Sequence, residues 1–140
     1  MRLALIACLG LVLPAHAERS KAAAWLMAAA VVESCDNGGT FDPERAVETD
    51  LTGDGANDLI LSFAGLSCDE QVGANDFCGA SGMCSVRLYV RQGDETLALY
   101  GDYLSQGGSF RIQESMPPGI VFTGHDGVPE TLHWRGTSFE

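Results

Sequence analysis

The sequence predicts an α+β fold: an N-terminal helix packed on an antiparallel β-meander of about five strands, with two disulfides. Three observations predict it. Ser20 precedes an alanine-rich run, Lys21 to Glu33, built from strong helix formers. From Cys84 onward, short stretches of strand character recur at roughly ten-residue spacing between turns containing Gly or Pro. Four cysteines, Cys35, Cys68, Cys78 and Cys84, lie between the start of the alanine-rich run and the first of these strands.

The first element is a leader. Arg2 supplies a positive end, Leu3 to Leu13 is apolar apart from Gly10, Pro14 breaks the run, and Ala15-His16-Ala17 has the small-x-small form of a signal-peptidase site. The run is shorter than the ~20 residues a membrane span needs. Leu5-Ile6-Ala7-Cys8 has the look of a lipobox, but the segment before Cys8 is too short for a working signal. Cys8 therefore reads as part of the discarded core. Residues 1–17 are expected to be removed, leaving residues 18–140 as a single exported domain, periplasmic or secreted.

That domain keeps seven Lys/Arg against 19 Asp/Glu, a net charge of −12. Phosphate backbones and anionic membrane surfaces would be repelled. The balance fits a soluble monomer, a cation binder, or a partner for a basic protein.

Ser20 is placed to cap the helix, which runs on through Trp25, Met27 and Val32. The segment is apolar nearly all round, so it is expected to be largely buried against a sheet. Asp36-Asn37-Gly38-Gly39 reads as a turn and Phe41-Asp42-Pro43-Glu44 as loop. A short strand is expected over 47–50 and a buried strand over 58–64. Residues 66–82, rich in Gly, Ser, Asp and Cys, read as a long stapled loop. Cys84 to Arg91 alternates polar and apolar residues, the period of a half-exposed strand. Strands follow over 96–103, 109–113, 120–122 and 131–134. Leu97, Leu99 and Gly101 are expected to share a face in the first of these.

An even cysteine count in an exported chain reads as two disulfides. Four cysteines allow three pairings, and sequence does not choose between them. Cys78–Cys84 is favoured because the two glycines of Gly79-Ala80-Ser81-Gly82-Met83 permit a sharp loop. Cys35–Cys68 would then tie the helix end to the body, contributing at most ~4 kcal/mol by chain entropy. Zinc is disfavoured because paired C-x2-C spacings are missing.

The most specific segment is Asp50-Leu51-Thr52-Gly53-Asp54-Gly55-Ala56-Asn57-Asp58, followed at once by Leu59-Ile60-Leu61. Oxygen-bearing side chains fall at loop positions 1, 3, 5 and 9, namely Asp50, Thr52, Asp54 and Asp58. Gly55 stands at position 6, where a Ca²⁺ loop turns sharply, and position 7 normally offers a backbone carbonyl, here Ala56. Three close carboxylates repel one another, and a divalent ion relieves that repulsion. Position 12 is Leu61 rather than the closing Glu of an EF-hand. The segment resembles the FG-GAP/VCBS-type repeat loop, D-x-[DNT]-G-D-G-x-x-D followed by a strand. The resemblance covers about twelve of the 140 residues. It implies a Ca²⁺ cofactor held by Asp50, Asp54 and Asp58, by the Thr52 hydroxyl and by the Ala56 carbonyl. The family builds propellers from several repeats; one copy in a chain this short does not carry that fold over.

A faint second copy, Phe122 to Leu132, has lost most of its acids and reads as a turn between strands. His125 and His133 are the only histidines after the leader, and His125 reads as a surface residue of that turn. The sequence lacks a G-x-S-x-G elbow, an H-E-x-x-H pair, a phosphate loop and a dinucleotide fingerprint. The expectation is therefore a non-enzymatic exported domain with a structural calcium loop. The alternative is an acidic periplasmic binding or inhibitor module for a basic partner, presenting the stapled loop with Phe77 and Met83 exposed.

Overall fold

The computed structural model describes residues 18–69 and 75–140. The expected leader, 1–17, and the middle of the stapled loop, 70–74, lie outside the described residues. Helix α1 (Lys21–Ser34) opens the fold, and strand β1 (Gly39–Phe41) follows. A 3-10 turn at Pro43–Arg45 leads into β2 (Ala46–Thr49) and, after the aspartate loop, β3 (Asp58–Ser62). A second 3-10 turn at Phe63–Gly65 precedes β4 (Leu66–Cys68), β5 (Met83–Gln92) and β6 (Thr96–Gln106). The chain ends in β7 (Phe110–Gln113), β8 (Gly119–Thr123) and β9 (Pro129–His133).

The α+β class holds, and the strands divide among three antiparallel sheets rather than one meander. β1 pairs with β4, a four-stranded sheet runs β2-β3-β5-β6, and β7-β8-β9 form the third. The extra division follows from the two faces of the central sheet, both of which are apolar. Along β3 the side chains alternate between two cores: Leu59 and Leu61 join one with Ala23, Ala30, Phe63 and Leu66, while Ile60 joins the other with Val86, Leu88, Ile120 and Phe122. A sheet buried on both faces needs two covering layers. The helix with β1 and β4 covers one face, and the β7-β8-β9 sheet covers the other. Every residue of β3 is buried, which is why Asp-Leu-Ile-Leu-Ser reads as a core strand. Each of those large apolar side chains stabilises the fold by ~1.5–3 kcal/mol.

The ends of α1 match the sequence pattern. Ser20 Oγ accepts the Ala23 N–H at 3.2 Å, satisfying one otherwise orphaned donor of the first turn. The expected burial of the helix does not hold: only Ala23, Ala30 and Ser34 are buried, and Trp25 and Val32 are 68% and 83% exposed. A cylinder against a sheet buries one stripe, whatever its composition. Leu97 packs on the helix-side core, but Leu99 is exposed. Leu97 and Leu99 pair opposite Arg91 and Tyr89 in unbroken register and so share a face; the register shift lies beyond them, sets Gly101 opposite Leu88 and takes it out of that phase.

Both disulfides are Cys35–Cys68 and Cys78–Cys84. The first joins the end of α1 to β4, beside the β1–β4 pairing that sets Gly39 against Cys68. The second closes the sharp loop entering β5. Met83, expected at the surface, is buried, and Phe77 is half-buried. Phe77 is held there by a stack. The Phe77 ring lies 4.1 Å from the Phe63 ring, and the Arg87 guanidinium sits 4.7 Å from both centroids. Asp102 Oδ2 accepts from Arg87 Nε at 2.9 Å and holds it there. Phe77 is thus drawn onto the core.

Candidate functional site

The loop between β2 and β3 is organised by carboxylates. Asp50 follows the last residue of β2, and Asp58 opens β3 opposite Thr49. Asp50 Oδ1 accepts the N–H groups of Gly53 at 2.7 Å and Asp54 at 3.2 Å, and its Oδ2 accepts that of Gly55 at 2.9 Å. The chain therefore winds around this side chain. That winding needs Gly53 at φ +81° and Gly55 at φ +89°, values that residues with a Cβ adopt only at a cost. Burial pushes the Asp50 carboxyl up, but the amides of Gly55, Gly53, Asp54 and Thr52 outweigh it and bring its pKa below the ordinary aspartate value.

Asp58 is fully buried. Its Oδ2 accepts the amides of Leu51 at 2.8 Å and Thr52 at 3.1 Å, and its Oδ1 accepts that of Arg91 on β5 at 2.9 Å. Desolvation dominates its titration and raises its pKa, against the pull of those three amides; the charge of Asp54 adds to the rise. Asp54 is exposed and caps Ala56 N–H at 2.8 Å. The loop is anchored from below by Leu51, which is fully buried in the core shared with Ile60 and Ile120.

The structure thus brings Asp50, Thr52, Asp54, Ala56 and Asp58 into one loop. Asp50 is its hub, and Asp58 pins it to two strands. Among the described residues, no group of three or more His, Cys, Asp or Glu side chains is set to hold a metal ion. The donor chemistry still fits a hard cation, since every polar side chain at the expected positions offers oxygen. Thr52 Oγ1 is buried and has no hydrogen-bond partner.

Sequence reasoning missed Arg91. Beyond its amide on Asp58, its Nε donates to the Asn57 carbonyl at 2.6 Å, and Nη2 reaches Glu48 Oε1 at 3.2 Å and Ser20 Oγ at 3.3 Å. Glu48 Oε2 in turn accepts the Ser20 N–H at 2.9 Å. The arginine ties the aspartate loop to the start of α1, above a polar hollow of about 460 Å³ that Glu18, Arg19 and Asp94 help to line. The only signal for it was its place at the end of an alternating strand; its partners lie 34, 43 and 71 residues away.

The second copy is a plain hairpin turn. Gly124 N–H bonds the Val128 carbonyl at 3.1 Å, and Asp126 Oδ1 caps the Val128 N–H at 3.0 Å. His125 and Asp126 are both exposed.

No protein-family model, curated protein or solved structure matches the chain. What can be said of this protein rests on its own residues. It is a small α+β, disulfide-stabilised protein, and no helix among the described residues is long and apolar enough to cross a membrane.

Proposed function

We propose that this protein is an exported, non-enzymatic domain that uses the Asp50–Asp58 loop as a structural calcium site. The observation that carries the reading is the winding of the loop about Asp50, together with the Thr52 hydroxyl buried in that loop without a partner. Asp50, Thr52, Asp54 and Asp58 would hold the ion with the Ala56 carbonyl. The ion would supply positive charge to the carboxylates of the loop. Export is supported by the two disulfides, which persist in oxidising compartments.

A second reading is favoured by the amides themselves. Six backbone N–H groups already point at Asp50 and Asp58, and such a cradle neutralises carboxylates without a metal. Thermal unfolding of the oxidised protein in EDTA and in ~10 mM Ca²⁺ separates the two, with Asp54→Ala as the control. An extracellular-type site with Kd ~1 mM would add about 1.4 kcal/mol, a rise of several degrees in Tm. The calcium reading expects that rise in the wild type and its loss in Asp54→Ala. Coincident curves would leave the amide cradle as the whole account.

A further inference from the structure

One arginine grips the aspartate loop and the segments around it. The backbone N–H of Arg91 donates to Asp58 Oδ1 at 2.9 Å, and its Nε donates to the Asn57 carbonyl at 2.6 Å. Nη1 reaches the Asp94 carbonyl at 3.3 Å, and Nη2 lies 3.2 Å from Glu48 Oε1. Glu48 is held in its turn, because Oε2 accepts the Ser20 N–H at 2.9 Å. The ion pair is sheltered, with side chains only 12% and 15% exposed. A guanidinium is a planar fork, so contacts at several of its nitrogens fix its plane as well as its position.

Arg91 thus touches two consecutive residues of the loop. Ala56 and Asp58 are two of the five proposed ligands, and Asn57 joins them. Drawing the Asn57 carbonyl to Nε fixes the peptide plane that leads into Asp58. A positive group is nonetheless an unfavourable neighbour for a bound cation unless a counter-charge stands beside it. Glu48 is that counter-charge. It comes from β2, so the loop carboxylates are left to the loop.

We propose that Arg91 and Glu48 are the positioning pair of the calcium loop. Arg91 holds the backbone that carries the ligands, and Glu48 orients the guanidinium and offsets its charge. The inference rests on the calcium reading above and adds to it two residues from outside the loop.

Two effects oppose each other in Arg91→Gln, and the sign of the result identifies the role. Loss of a positive charge by itself tightens cation binding. Release of Asn57 loosens the loop and weakens it. Groups that orient the ligands of a metal contribute about 10–100-fold to affinity, so the weakening should win.

A Ca²⁺ titration of the oxidised protein followed by amide NMR tests this, with each variant checked for both disulfides and cooperative urea unfolding. Arg91→Gln should raise Kd about tenfold. Arg91→Lys should weaken binding at least as much, because it restores the charge without the fork. Glu48→Gln leaves the guanidinium uncompensated and should raise Kd about threefold, and by more at 20 mM than at 150 mM salt. The double variant should bind no more weakly than Arg91→Gln alone, since the pair acts as one unit. In EDTA, the Gly53, Asp54 and Gly55 amides of Arg91→Gln should exchange several-fold faster than its change in global stability explains.

A pair with a purely structural role would lower the urea midpoint and leave both Kd and the local exchange unchanged. That result would overturn the inference and leave the calcium reading standing. So would tighter binding in Arg91→Gln, because charge alone would then govern. A wild type without saturable binding would remove the calcium reading and this inference together. If Arg91→Gln does not fold, Glu48→Gln decides: a wild-type Kd at 20 mM salt would overturn the inference.

Discussion

The two Asp/Gly turns of this protein share a sequence pattern and differ in what holds them. The turn at residues 124–128, between β8 and β9, is closed by backbone pairing, with one exposed carboxylate capping one amide. The loop at residues 50–58 is closed by side chains: Asp50 collects three amides and Asp58 three more. One of the Asp58 donors belongs to Arg91, so the second carboxylate joins a loop to a neighbouring strand. The lesson is that burial, more than the Asp-Gly pattern, decides whether an aspartate punctuates a hairpin or supports a core.

The largest effect should come from removing the buried acid. Asp58→Ala strands the amides of Leu51, Thr52 and Arg91 and should cost about 3–5 kcal/mol in urea unfolding. Asp126→Ala, on the exposed turn, should cost less than ~0.5 kcal/mol. Equal losses would erase the contrast. Next in size is Asp50→Ala, at ~1–2 kcal/mol, because its donors can turn to water once released. Gly55→Ala should follow at about 1 kcal/mol: the space beside it is open, and only its positive φ opposes a Cβ.

The pH dependence should separate the two acids of the loop. The folded-state pKa of Asp50 is depressed, so its stabilisation is complete above the ordinary aspartate value of 3.8 and is lost as pH falls through the lower folded value. The stability gap between wild type and Asp50→Asn should therefore shrink on acidification. The folded-state pKa of Asp58 is raised, so the folded protein takes up its proton more readily than the unfolded chain does. Wild-type stability gains from this group as pH falls through the window between the raised value and 3.8. The gap to Asp58→Asn should widen over that window. Urea midpoints across pH 3–7 would show both, and parallel gaps would contradict the assignment.

Much of this fold is legible in the chain, and the reasons are local. Ser20 and the alanines specify α1, and the β5 alternation reflects one face on Leu88 and Val90 and the other on Arg87 and Tyr89. The ends of the tight disulfide, Cys78 and Cys84, have a sequence separation of only 6. What stays hidden is non-local. The loop's link to the helix runs through Arg91 and Glu48, far apart in sequence. The division into three sheets depends on which strand covers which face of β3. The partial burial of Phe77 follows from its stack with Phe63 and Arg87, and the exposure of Trp25 from the single stripe that a helix buries against a sheet. Composition carries none of these.

The most direct test of the calcium reading is an amide NMR titration of the oxidised protein with Ca²⁺, repeated with Mg²⁺. The account predicts saturable shifts confined to residues 50–58 and Arg91, with Kd ~10⁻⁴–10⁻³ M for Ca²⁺ and weaker changes for the smaller ion. Spectra unchanged to ~10 mM Ca²⁺ would contradict it, leaving six amides and two aspartates as a self-sufficient turn.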